Sequence, residues 1–353
     1  MVHMPPQKIK SAGNILVTGG AGYIGSTVCS ALIDAGWTPI ILDNFSSGPR
    51  EFTAGRIFYE GDIADRNLIQ KIASERGPIF GAVHCAALIV VPDSVTQPET
   101  YYRENVAKSL ELFAALRDVG CRRIVFSSSA SIYDVVDGFM VTESSPLKPS
   151  SPYARTKFMM EMVLKDFCDA YGIRGIALRY FNPIGADPQM RSGPYIKAPT
   201  HVLGRLVSVA LGKIPCFEIT GTDWPTRDGS GIRDYIHVWD LAQAHVKAIE
   251  NFDEAFSQSS AVVKNELSDS PNYKVVNLGT GRGVTVRELL TAFESVHGSP
   301  IKKKEAPSRP GDVAGSFASC ELAEKLLNWR AELSVRQGIS DALKWASEWS
   351  PSN

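Results

Sequence analysis

The run Asn14-Ile15-Leu16-Val17-Thr18 ends directly in Gly19-Gly20-Ala21-Gly22-Tyr23-Ile24-Gly25. This junction limits the possible folds more than any other stretch of the chain. An apolar strand, a glycine turn and then a helix over Ser26 to Ala35, closed by Gly36, form the unit that seats a dinucleotide pyrophosphate on a helix N-terminus. Gly19 permits the tight turn, Gly22 lets backbone approach phosphate, and Gly25 lets the helix pack on the strand. Glycine turns also occur without a ligand, so the weight comes from the strand before and the helix after.

The same alternation continues downstream. Strands are predicted at Pro39–Asp43, Ile57–Asp62, Gly81–Ala86, Arg123–Ser127 and Gly175–Tyr180. Helices are predicted over Arg66–Glu75, Glu104–Val119 and Tyr153–Tyr171. Near-continuous apolar strands between helices predict an α/β fold, a Rossmann-type doubly wound parallel sheet covered on both faces. After Pro183 the pattern degrades into Gly-, Pro- and polar-rich stretches. Strand-like pieces return at Pro215–Thr220 and Val275–Leu278, and helix-like pieces at Asp240–Asn251 and Val286–Ser295. The expected division is a dinucleotide-binding domain over 1–183 and a smaller α/β substrate lobe mainly over 184–353, with 235–278 partly returning to the main sheet. Ser257–Asn272 is rich in Ser and Asn and reads as a surface loop.

Two further segments carry chemistry. Asp43 ends the second predicted strand, where a carboxylate accepts hydrogen bonds from ribose hydroxyls and repels a 2′-phosphate; this favours NAD over NADP. Arg50 is the nearest downstream cation. Tyr153-Ala154-Arg155-Thr156-Lys157 follows Ser127-Ser128-Ser129. Tyr153 and Lys157 share a helix face one turn apart. A free phenol, with a pKa of about 10, is a poor base at neutral pH. A nearby ammonium and a cationic nicotinamide ring favour its phenolate. Ser129, at a strand end in a parallel sheet, can bridge a substrate oxygen and Tyr153. The glycine loop, the serines and the Tyr-Lys pair, in that order, imply nicotinamide chemistry on a hydroxyl-bearing carbon.

Composition excludes several alternatives. The net charge of −1 over 353 residues favours neither a polyanion nor an anionic membrane as partner. No apolar run approaches the roughly 20 residues of a membrane span, and Met1 to Ser11 is a polar lead-in without a signal core. The six cysteines and six histidines lack metal-ligand spacing. Scattered free thiols suit a reducing, cytoplasmic setting.

Taken together, these motifs resemble the UDP-glucose 4-epimerase family of the extended short-chain dehydrogenase/reductases, from about Asn14 to Trp349. The resemblance is carried by Val17 to Gly25, Leu42-Asp43-Asn44, Gly61-Asp62-Ile63, Phe126 to Ala130, Ser151-Pro152-Tyr153 and Arg179-Tyr180-Phe181-Asn182-Pro183. Gly231 to Val238 and Asn277-Leu278-Gly279 complete it. The resemblance implies that Tyr153 takes the proton of a sugar 4-hydroxyl while the C4 hydride moves to tightly held NAD. The 4-keto sugar then turns over and receives the hydride on its other face. Ser129 would orient the 4-oxygen, and Lys157 would also bond the nicotinamide ribose. Gly19, Gly22, Tyr23, Ile24, Gly25, Asp43, Asn44, Asp62, Ile63, Ala86, Ala87, Asn105, Tyr153, Lys157 and Tyr180 would form the NAD site. A UDP-sugar would meet Ser129, Asn182, His201, Val202, Arg233, Tyr235, Arg309, Asp312 and Ser316, with Arg233 and Arg309 clamping the pyrophosphate. Neither nucleic acid nor membrane is an expected partner. The helices over Glu104–Val119 and Tyr153–Ala170 resemble those of a four-helix homodimer contact. His237 and Trp239 read as packing residues.

The chain departs from the family pattern at five positions. Asp134 stands for the usual Gly, Ile89 for a frequent Lys beside the cofactor ribose, and Thr220 for an aromatic near uracil. His201 is one of two residues common at its site. Ser316 stands where a bulky residue narrows the sugar pocket of some relatives, which leaves room for an N-acetyl group. Ser129-Ala130-Ser131-Ile132-Tyr133 lacks the Asp-Glu pair of a 4,6-dehydratase, and Asp43 disfavours an NADP reductase. An epimerase or decarboxylase of another UDP-sugar, such as UDP-glucuronate, remains an alternative. So does a non-catalytic dinucleotide sensor, against which Ser129, Tyr153 and Lys157 all weigh.

Overall fold

The structure, a computed structural model, describes residues 12–196, 198–257, 270–308 and 313–349. In chain order the first strands are β1 (Asn14–Thr18), β2 (Thr38–Asp43), β3 (Ile57–Glu60), β4 (Ile79–His84) and β5 (Arg123–Ser127). Next come β6 (Met140–Val141), β7 (Arg174–Tyr180), β8 (Asn182–Ile184), β9 (Phe217–Thr220) and β10 (Ile232–Arg233). The last are β11 (Tyr235–His237), β12 (Tyr273–Leu278), β13 (Val284–Thr285), β14 (Lys303–Ala306) and β15 (Gly315–Ala318). The helices of the first half are α1 (Tyr23–Asp34), α2 (Arg66–Arg76), α3 (Val91–Thr96), α4 (Pro98–Tyr101), α5 (Lys108–Asp118) and α6 (Pro152–Tyr171). Those of the second half are α7 (Val202–Ala210), α8 (Val238–Glu250), α9 (Phe252–Ser257), α10 (Val286–His297), α11 (Glu321–Leu327) and α12 (Val335–Glu348).

Seven strands form one parallel sheet in the order β3-β2-β1-β4-β5-β7-β12. Its central strands are apolar on both faces because both faces are covered. On one side Val17, Ile41, Val83 and Val125 pack with residues of α1, α8 and α11. On the other, Leu16, Ile40, Ala82 and Ile124 pack with residues of α2, α5 and α6. The strand order reverses between β1 and β4, and ligands of doubly wound sheets bind beyond the carboxyl ends at such a point.

The expected doubly wound α/β fold is thus what the chain adopts. Strand 275–278 does join the main sheet, as β12 beside β7, and α8 contributes Leu241, Ala244 and Val246 to the same core. The small sheet β13-β10-β15-β6 mixes β6, from before residue 183, with strands from after it. The segment 258–269, most of the Ser- and Asn-rich stretch, lies outside the described residues.

Two helix boundaries differ from the sequence pattern for local reasons. α1 begins at Tyr23 rather than Ser26, because Gly22 serves as N-cap without a side-chain acceptor and leaves no sequence signature. The predicted helix from Glu104 starts as a wider π-turn over Tyr102–Ala107 before it becomes α5. α6 starts where expected: the Ser151 side chain accepts from the Ala154 N–H at 3.1 Å, Pro152 fills the first turn, and Gly172 ends it in the left-handed region.

Asp234 links the small sheet to the end of β12 in the main sheet. It lies fully buried between β10 and β11. Its Oδ1 accepts from the Thr280 N–H (2.8 Å) and hydroxyl (2.6 Å), and its Oδ2 from the N–H groups of Gly281 and Ala318, both at 3.2 Å. One carboxylate therefore fixes the turn after β12 and the end of β15 around Arg233 and Tyr235. Replacing it by Ala strands these donors and should cost about 3 kcal/mol in urea unfolding, with Asp234→Asn losing less. An Asp234→Ala protein of unchanged stability would contradict this assignment.

Candidate active site

The glycine turn sits at the carboxyl end of β1, where the sheet order reverses. Gly19 has φ +70°, and a Cβ on it would lie 2.7 Å from the Ala86 nitrogen. A Cβ on Gly25 would lie 2.2 Å from the Gly19 carbonyl oxygen. Both positions thus require glycine: one for the β1–β4 approach, the other for packing α1 against the turn. The first turn of α1, with Tyr23, Ile24 and Gly25, carries no acidic side chain, and Gly22 makes no side-chain cap. Its N–H groups and dipole are open to an anion. The Tyr23 hydroxyl donates to the Gly185 carbonyl at 2.7 Å, which ties the start of α1 to the second half of the chain.

Asp43 closes β2. Its Oδ2 accepts from the Ala21 N–H at 2.9 Å and its Oδ1 from the Phe45 N–H at 2.8 Å. The carboxylate braces the glycine turn and keeps lone pairs for a diol. Asn44 is exposed and caps its own turn through the Ser46 N–H. Arg50 points to Glu60 at 2.5 Å and stacks over Phe45, so it is already engaged. Asp62 accepts from the Ala64 N–H and pairs with Lys108 at 2.5 Å; its neighbour Ile63 is buried.

Ala86 and Ala87 lie half-buried on the loop after β4. Asn105 holds that loop: its Oδ1 accepts from the Leu88 N–H, and its Nδ2 donates to the Leu88 carbonyl and to Thr156 Oγ1. It shapes the loop beside α6 through Leu88. Ile89 on the same loop is exposed. Below it, His84 lies between Thr18 and Ser109 at 2.7 and 2.8 Å. Burial pushes its pKa down to about 3, so the ring is neutral. These residues fit a dinucleotide: an uncapped helix N-terminus, a turn with no room for a side chain, and a carboxylate one strand away.

Ser129, Tyr153 and Lys157 converge beside this turn. Ser129 follows β5; its Oγ donates to Ser131 Oγ at 3.0 Å and accepts from the Ser131 N–H at 3.2 Å, and it lies close enough to Tyr153 to favour the phenolate. Burial raises the Tyr153 pKa, and Ser129 pulls it back. Lys157 is buried, and its Nζ donates to the Ser127 carbonyl at 2.7 Å. Burial pushes its pKa down to about 8, with Cys85 and Glu161 acting against that shift. Tyr180, at the end of β7, has its hydroxyl raised well above the ordinary range by burial. A general base and an ammonium from α6 and an oxygen-orienting hydroxyl from the end of β5 thus meet at the carboxyl edge of one sheet.

The other expected residues belong to the second half of the chain. Asn182 of β8 is in register with Tyr235 of β11, and Arg233 of β10 with Ser316 of β15. Tyr235 is buried, and its hydroxyl has no hydrogen-bond partner among the described residues. Burial pushes it up to about 12, so it remains a donor. Arg233 Nη1 donates to the carbonyls of Ile232 and Ala314 at 2.7 Å, and Nη2 to that of Val313 at 3.2 Å. Arg309 and Asp312 lie outside the described residues. His201 caps α7 by accepting from the Gly204 N–H at 3.2 Å, and Val202 opens that helix. His237 caps α8 and faces Asp341 at 3.1 Å, a packing role as expected.

One cluster beside the site has no assigned role in the motifs: Ser128, Glu161, Arg179 and Tyr133, linked behind Ser129 and Lys157. Ser128, Tyr133 and Arg179 stand within the motif segments, and Glu161 lies one helical turn past Lys157.

Residues 15–263 match the model of the NAD dependent epimerase/dehydratase family. The UDP-glucose 4-epimerase of Bacillus subtilis is 38% identical over 343 residues, covering 94% of this chain and 96% of that protein. Among solved structures, UDP-glucose-4-epimerase from Stenotrophomonas maltophila, with bound NAD and formylated UDP-arabinopyranose, superposes with TM-score 0.87. It is 34% identical and covers 95% of this chain and 98% of its own. UDP-glucose 4-epimerase from Brucella ovis in complex with NAD gives TM-score 0.86 at 35% identity, covering 94% and 98%.

The depressed Lys157 pKa has a measurable consequence. The unfolded chain keeps that proton to about pH 10.4, whereas the folded protein releases it near pH 8. Between those values the unfolded state binds more protons, so this group makes stability rise with pH. In cofactor-free protein, the stability difference between wild type and Lys157→Met should shift in favour of wild type from pH 8 to pH 10, read from urea midpoints. A difference independent of pH would show that Lys157 titrates normally.

Proposed function

The chain belongs to the NAD-dependent epimerase/dehydratase family, and we propose that it interconverts UDP-glucose and UDP-galactose by inverting C4. The observation that carries this reading is the convergence of Ser129, Tyr153 and Lys157 beside an uncapped helix N-terminus at the switch point of the sheet. In this reading Tyr153 takes the proton of the 4-hydroxyl, and Ser129 holds the 4-oxygen against it. Bound NAD would supply the acceptor and donor for the C4 hydride. The Lys157 ammonium favours the phenolate form of Tyr153 and offers a donor to a ribose hydroxyl.

The sugar nucleotide lies on the second-lobe side in this account. The unpartnered Tyr235 hydroxyl donates to the uridine ribose region, Arg233 and Arg309 face the pyrophosphate, and Asp312 takes ribose hydroxyls. Asn182, His201 and Val202 line the same side. A 4-keto sugar anchored through its nucleotide can turn over between the two transfers. Ser316, small and in register with Arg233, leaves room for a 2-N-acetyl group, so the N-acetylated UDP-sugars are a second substrate pair in this reading. Leu110 of α5 and Met159 and Met162 of α6 are exposed apolar residues on the helices expected at a homodimer contact. Among the described residues no helix is long and apolar enough to cross a membrane. The six free cysteines suit the cytoplasm.

The test is conversion of UDP-galactose to UDP-glucose by purified protein without added cofactor. Tyr153→Phe should cut kcat roughly 100- to 10,000-fold with little change in KM. A Tyr153→Phe enzyme at the wild-type rate would refute the mechanism.

A further inference from the structure

We propose that Glu161, clamped between Arg179 and Ser128, is a positioning residue that sets the distance between Ser129 and Tyr153. Glu161 stands on α6, one turn beyond Lys157 and two beyond Tyr153. It is fully buried, as is Arg179 on β7. Glu161 Oε1 accepts from Ser128 Oγ at 2.5 Å and from Arg179 Nε at 2.9 Å, and Oε2 accepts from Arg179 Nη2 at 2.6 Å. Arg179 Nη1 donates to the Tyr133 hydroxyl at 2.9 Å, and that hydroxyl donates to Asn277 Oδ1 on β12 at 2.7 Å.

The geometry follows from chain direction. Ser128 and Ser129 are consecutive at the end of β5, so Ser128 is turned toward Glu161 while Ser129 meets the Tyr153 hydroxyl. Tyr133 closes the same short loop, 128–133. One buried ion pair therefore holds both ends of the loop that carries Ser129. The same carboxylate is rooted in the helix that carries Tyr153 and Lys157. Removing either charge would strand the other in the core, so uncharged substitutions are the informative ones. Ser128 and Tyr133 each contribute one hydroxyl to the clamp.

The experiment uses the NAD-loaded protein carrying Ser128→Ala or Tyr133→Phe. The first readout needs no substrate. Ionisation of Tyr153 is followed by ultraviolet difference titration, each protein against the same protein with Tyr153→Phe. The titratable groups set against Tyr153 are Tyr180 from β7 and Tyr101 from α4, with Lys157 one turn along α6; neither substitution alters them. Moving Ser129 away from the phenol, whose charged form it favours, should raise the Tyr153 midpoint by about half a unit or more in both variants. The second readout rests on the epimerase reading. With UDP-galactose, kcat should fall about tenfold or more while KM stays within about twofold and NAD content is unchanged, and Ser128→Thr, which keeps the hydroxyl, should recover the rate. An unmoved Tyr153 midpoint in the variants that fold would overturn the proposal, whatever the sugar. So would a proportional fall of kcat, sugar affinity and NAD content. If wild-type protein leaves UDP-galactose untouched, the functional reading fails while the titration still decides the clamp.

Discussion

Gly19 has no side chain, and the backbone of Ala86 occupies the space where one would stand. That single contact brings the carboxyl ends of β1 and β4 together at the point where the strand order reverses. The remaining site is laid out around it. The glycine turn opens α1 without a cap, so its N–H groups stay available. Asp43 braces the turn from β2 with one oxygen and the next residues with the other. The loop after β4 is held by Asn105 rather than by its own side chains. A side chain at position 19 would push the two strand ends apart and disturb these relations together.

The catalytic groups solve a different problem. Tyr153 is half-buried and Lys157 buried, and desolvation opposes the charged form of each. The protein sets polar groups against that opposition. Ser129 reaches the phenol, the Ser127 carbonyl receives the ammonium, and the Glu161 charge lies one turn away. These partners come from β5 and α6, and their spacing is meaningful only if strand and helix are locked together. The Ser128–Glu161 hydrogen bond spans that junction, and Arg179 on β7 holds the Glu161 carboxylate in place. As an isolated buried ion pair, Arg179–Glu161 would be weak evidence for stability, and its value here is geometric.

Much of the fold is legible in the sequence because buried parallel strands read as continuous apolar runs. β1, β2, β4, β5 and β7 are all found that way. Helix α6 is legible through Ser151, Pro152 and the tyrosine-lysine spacing. The small sheets are not: β8, β10, β11 and β13 are too short for any periodicity to show. Helix α12, with Trp345 packed over Gly193, lies outside every predicted element although Val335, Ile339 and Ala342 stand at helical spacing. In the site, Asp43 and the Tyr153–Lys157 pair are legible because motif spacing carries their geometry. Glu161 and Arg179 are not, since charged residues ordinarily mark a solvated face and only the folded chain places these two together.

In the proposed epimerisation the hydrogen removed from C4 is the one returned to it. UDP-galactose deuterated at C4, incubated with the purified protein in ordinary water, tests this directly by mass spectrometry and NMR of the UDP-glucose formed. Deuterium should be retained at C4, with no solvent hydrogen entering that position. Product carrying solvent hydrogen at C4, or inversion with label lost to water, would contradict it.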